Sequence, residues 1–183
     1  MKTLKIILLA GCTAALFSIT GQAADIDTNA AASGKVRIGT YDSRSLAIAY
    51  AGSTQFNQWL GNLRAEHDRA KAAGDQQRAA ALEAEGKAQQ KLMHMQGFST
   101  APVTNILDQI KDQLPSVKEQ AGVSALVSKW DKTALAAYPN AEKVDVTVAL
   151  VTRLHPSELQ RQRAMEILKH DPIPLDQAAH IDD

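Results

Sequence analysis

Residues 35–50 read KVRIGTYDSRSLAIAY, and the reading of this stretch decides the fold. Val36, Ile38 and Thr40 alternate with Arg37, Gly39 and Tyr41, the two-residue period of a half-buried strand. After Tyr41 the pattern passes through a polar cluster and loosens into Ala, Leu and Ile. Asp42 or Ser43 can cap a helix there, because its side-chain oxygen accepts from exposed amides of the first turn. The segment YDSR is therefore expected to be the corner where a strand becomes a helix.

The 183 residues suffice for one domain. Aromatic residues make up only 4% while Ala is plentiful, which points to helices packed closely over small side chains rather than a bulky core. Lys+Arg and Asp+Glu each total 20, so no global field draws in nucleic acid or anionic lipid.

Upstream, Lys2 and Lys5 precede an apolar run over 6–19, and Gly21-Gln22-Ala23 offers small residues at −3 and −1 of a cut. This is the build of a secretory signal peptide over 1–23, cleaved after Ala23 with Ala24 as the alternative. Its apolar run is short for a transmembrane helix. Removing Lys2 and Lys5 leaves a mature chain slightly acidic. Leu9-Ala10-Gly11-Cys12 also matches the small-residue pattern before a lipid-modified cysteine, which would anchor the protein to a membrane. The apolar run continues past Cys12, which favours the soluble exported form. Cys12 is the only cysteine, so no disulfide forms within the chain.

Residues 24–34 are small and polar, with nothing to bury, and read as a disordered spacer. Residues 53–73 carry Phe56, Trp59, Leu60 and Leu63 at helical spacing, and 76–96 continue through Ala79, Leu82, Gly86, Gln89 and Met93. Gly74-Asp75 breaks the two segments, so an antiparallel helical hairpin is expected, with a mobile, Ala-lined tip. Residues 97–102 (GFSTAP) interrupt the pattern. A helix over 103–120 is expected to be kinked or divided by Pro115, with Gly122 as its stop. Residues 123–128 form a second strand candidate, Tyr138-Pro139-Asn140 a turn. Val144 to Thr147 leads into a short helix capped by Asp145 or Thr147. A charged helix follows over 157–169, and the Pro-rich tail 170–183 is expected to lie extended.

No catalytic, cofactor-binding or metal-ligating residue is assigned, and no cofactor. His67, His94, His155, His170 and His180 show no ligand spacing and read as surface residues. His67 and His94 lie on opposite arms and would meet only by accident of register. Ser43 and Ser45 lack a nucleophile-elbow context. Glu83 and Glu85, two apart on a helix, face different directions and make no acid/base pair. Gly34-Lys35 precedes the strand, the wrong order for a phosphate loop. Trp59 is read as core, lying on the stripe with Phe56 and Leu60. Met93 and Met95 are read as gap-filling residues. Trp130 either packs at the rim of the sheet or marks a binding surface; the sequence leaves both open.

The stretches KVRIGTYDSRSL (35–46) and AGVSALVSKWDKTALAAYPNAEKVDVTVALV (121–151) resemble the first strand with its helix entry, and the second strand, turn and Asp-hydrophobic-Thr helix entry, of the OmpH/Skp family of periplasmic chaperones. The resemblance implies an α+β, predominantly α fold: a small β-sheet base with a long antiparallel helical hairpin, in one domain over 35–169. It also implies a homo-oligomer, a trimer in the family, whose strands assemble into a central barrel. The function expected is that of an exported, non-enzymatic periplasmic protein that holds unfolded or outer-membrane protein clients between its arms. Nucleic acid is not an expected partner, and the membrane is one only through a lipidated Cys12. The alternative is an envelope structural or adaptor protein, with or without a lipid anchor at Cys12, that docks one folded partner.

Overall fold

A computed structural model describes residues 35–181. The expected signal segment, Cys12, the spacer and Gly34 lie outside the described residues.

The protein is mostly helical, around a small three-stranded parallel sheet. Strand β1 (Arg37–Tyr41) runs into helix α1 (Ser43–Ala51) through Asp42, whose carboxylate accepts from the Arg44 amide. The corner expected at YDSR is present, and Asp42 rather than Ser43 is the cap. Helix α2 (Thr54–Ala72) is capped by the Ser53 hydroxyl, and α3 (Gln76–Phe98) by the Asp75 carboxylate. Gly74, at φ 72°, makes the turn between them, a conformation that suits glycine.

Beyond α3 the chain forms α4 (Thr104–Leu107), a 3-10 segment Asp108–Gln113, and α5 (Leu114–Ala121). The helix is divided next to Pro115, where the 3-10 segment gives way to α5 with Pro115 in its first turn, and it is also kinked earlier, at Ile110 (φ −120°, ψ 17°). A proline there lacks only an amide that has no helical partner anyway, and its fixed φ suits the first helical turn. Gly122 ends α5 at φ 62°; Gly122 donates to the Glu119 carbonyl and Val123 to that of Lys118.

Strand β2 (Ala125–Ser128), helix α6 (Lys132–Ala136), strand β3 (Glu142–Asp145) and helix α7 (Thr147–Arg153) follow. Sequence periodicity misses β3. Its residues EKVD expose all but the half-buried Val144, so no alternation marks it. Helix α8 (Glu158–Glu166) is capped by Ser157 and continues as a 3-10 turn, Ile167–Lys169. The tail, expected to be extended, is so only up to Pro174; it then closes into α9 (Leu175–Ala178), with Ala178 buried. Ile173 fastens it to the end of α3, donating to the Phe98 carbonyl and accepting from the Ser99 hydroxyl.

The strand order is β2-β1-β3, both pairings parallel, with Gly39 opposite Leu126 on one side and Val144 on the other. A Cβ at Gly39 would stand 2.9 Å from Leu126 Cδ2 and 3.1 Å from Val146 Cγ2, so the absence of a side chain lets this face close on its cover. The main core joins Tyr41 to α1, α4, α5, α7 and α8 through Leu46, Ile106, Val117, Leu150 and Ala164. A smaller cluster, Ala70, Ala79 and Leu82 with Leu63 against it, joins α2 to α3.

Candidate functional site

Two places in the fold gather chemistry. The first is the end of β1. Asp42 is fully buried, and Arg44 is 1% exposed. Arg44 Nε donates to Asp42 Oδ1 at 3.1 Å and Nη2 to Oδ2 at 2.8 Å, while Nη1 donates to the His170 carbonyl at 2.8 Å. Trp130 Nε1 donates to Oδ1 at 3.0 Å, and Lys129 Nζ lies 2.7 Å from Oδ2. The Asp42 amide donates to the Thr147 hydroxyl. Arg44 of α1 and Lys129 and Trp130 from the turn after β2 thus meet on one carboxylate, while the start of α7 and the C-terminal segment join through the Asp42 amide and the Arg44 guanidinium.

Burial alone would raise the Asp42 pKa. The hydrogen bonds from Arg44, Lys129 and Trp130, with the Arg44 charge, overcome that and lower it to about 2. The carboxylate is ionised and saturated with donors, so it has neither the basicity nor the free lone pairs of a general base. Trp130, half-buried, is explained by this hub: its ring lies at the sheet rim, 4.9 Å from the Arg44 guanidinium and 4.6 Å from Lys129 Nζ. Ser43 and Ser45 are buried nearby in sequence, but neither hydroxyl has a hydrogen-bond partner, so no base activates them.

The second place is a cleft of about 800 Å³ between α1, α2, α3 and α8. Ile48 and Ala51 of α1 and Phe56, Trp59, Leu60 and Leu63 of α2 form much of its wall. Gly86, Met93 and Gly97 of α3 face them, and Gln160 and Arg163 of α8 close the margin. The stripe on α2 is therefore not core, as its spacing implied: Phe56, Trp59, Leu60 and Leu63 are all half-buried and line an opening. Phe56 is fixed between Tyr50 (ring centroids 5.4 Å) and Trp59 (5.6 Å).

His67 and His94, expected to be surface residues on separate arms, both line this cleft. His94 is in fact buried, 8% exposed, with its ring 5.8 Å from that of Phe98. His155, His170 and His180 are exposed. Glu83 also faces the cleft and pairs with Lys87 at 2.7 Å; Glu85 is exposed. Met93 packs against the core as well as lining the cleft, and Met95 is half-buried. Sequence reasoning singled out neither Arg44 nor Gln96. Gln96, fully buried, bonds the Pro102 carbonyl and Asn105, fixing the interruption after α3.

Among the described residues no group of three or more His, Cys, Asp or Glu side chains could hold a metal ion, and no helix is long and apolar enough to cross a membrane. No protein-family model, no curated protein and no solved structure matches the chain.

Proposed function

We propose that the protein is an exported, non-enzymatic, Skp-like chaperone whose α2 and α3 form an antiparallel helical hairpin that holds apolar stretches of unfolded protein clients. The observation that carries this reading is the cleft, where Phe56, Trp59, Leu60 and Leu63 stand half-exposed between the arms. Aromatic and aliphatic groups that are neither packed away nor covered by polar residues favour a transient apolar occupant over solvent. The hub at Asp42 supplies rigidity where the sheet meets α1, the helix on which the arms pack, and its saturated carboxylate offers no step of bond chemistry.

Assembly through the sheet is the second element of the proposal. Among the described residues the outer edges of β2 and β3 have no strand partner. One edge of each kind per chain allows β3 of one copy to add to β2 of the next, a head-to-tail contact that closes into a ring.

The test is light scattering on the mature protein followed by an aggregation assay with an unfolded outer-membrane protein. An oligomer that suppresses aggregation is expected, and Leu60→Asp should abolish suppression while keeping the helical content. A monomer without suppression ends the proposal.

A further inference from the structure

The polar groups of the cleft are unevenly placed. Beyond Leu63 the helices α2 and α3 close on one another through Ala70, Ala79 and Leu82. At that closing end stand Arg64 and His67 on α2 and Glu83 and Lys87 on α3. Toward α1 the walls are Ile48, Phe56 and Met93, with Gln160 and Arg163 of α8 at the margin. From Phe56 to Arg64 the helix rises about 12 Å, the reach of an extended medium-length acyl chain.

The charge of the lining is also one-sided. Arg64, Lys87 and Arg163 face one carboxylate, Glu83, which is already bound to Lys87. Arg64 and Arg163 make no ion pair among the described residues. The whole chain is formally neutral, so this excess of cations belongs to the cleft and not to the surface at large. A roomy apolar wall with two cations, Arg64 and Lys87, at its closing end is the build of a site for a small amphiphile.

We propose that this cleft binds a single medium-chain carboxylate, with the acyl tail along Leu60, Trp59 and Phe56 and the head against Arg64 and Lys87. A carboxylate suits that end because Arg64 can donate two parallel hydrogen bonds to it. Capture of protein clients is not required for this binding, so either can fail without the other.

The probe is dodecanoate, kept below its micelle concentration and titrated into the full chain by calorimetry. Dodecyltrimethylammonium, with the same tail and the opposite charge, runs beside it. Saturable binding of one dodecanoate per chain is expected, at least tenfold tighter than the cationic amphiphile. Arg64→Gln with Lys87→Gln, both on the surface, should weaken dodecanoate about tenfold and leave the thermal melt in place. Gly86→Leu should block it, since a side chain at Gly86 points at Leu63, 3.5 Å from its Cβ position. Absence of saturable binding, equal affinity for the two amphiphiles, or an unchanged affinity in the double variant each overturns the proposal.

Discussion

Asp42 and Arg44, two residues apart in the chain, form a two-pronged ion pair in which neither side chain is more than 1% exposed. The same carboxylate caps α1 and receives Trp130 from beyond β2. It is therefore the point at which the strand region and the helices are tied.

Removing one partner of such a pair should cost more than removing both. Asp42→Asn leaves the Arg44 guanidinium buried without a counter-ion, a loss of about 3–5 kcal/mol for a pair of this kind. Arg44→Met added to Asp42→Asn should return part of it. Chemical denaturation of the two variants gives the comparison; an Asp42→Asn protein as stable as the parent refutes the role of the hub.

The acid limb of stability follows from the same carboxylate. Its pKa is lowered from 3.8 to about 2 in the folded chain, against the effect of burial. A depressed carboxyl contributes stability that is fully present above the unfolded pKa and is lost as pH falls through the folded one. The contribution is roughly 2 kcal/mol, from 1.36 kcal/mol per pKa unit, and disappears between about pH 4 and pH 2. Denaturation midpoints across this window should fall more steeply for the parent than for Asp42→Asn.

Gly52 ends α1 where α8 lies against it. A Cβ there would stand 2.0 Å from Gln160 Cγ and 2.7 Å from its Cβ. The first atom can swing away but the second is fixed to the helix, so Gly52→Ala has to push α8 outward. A loss of about 1–3 kcal/mol is expected for such overpacking. Gln160→Gly in the same chain should restore most of it, as read by thermal melts.

Leu82 is the one large buried side chain in the small cluster joining α2 to α3, at 3% exposed. Its buried partners there are alanines, which bury little area, with the half-buried Leu63 against them. Leu82→Ala should cost about 2–5 kcal/mol of local stability. Amide exchange should quicken around the Gly74 turn before it does so in β1 or α1.

The local chemistry of the chain was largely legible in its sequence. The switch of period after Tyr41, the Asp42 cap and the Gly122 stop all follow from near neighbours. So do the break at Gly74 and the second strand. What escaped depends on contacts far apart in sequence. Strand β3 is held by pairing with β1, because EKVD shows one inward residue too few for a pattern. Arg44 looks like a surface cation until the carbonyl of His170, 126 residues away, is brought to it. The stripe from Phe56 to Leu63 has core spacing, and only the splay of α2 from α3 makes it a cleft wall. The kink at Ile110 has no proline or glycine to announce it, whereas Pro115 marks the start of α5.

The central claim, that the arms receive apolar client segments in this cleft, is tested most directly by placing a photo-crosslinking residue at Leu60. A second copy of the protein carries it at Val148, which is 58% exposed and outside the cleft. With an unfolded outer-membrane protein present, crosslinks should form at position 60 and be scarce at 148. Equal yields at both positions, or none at 60, contradict the account.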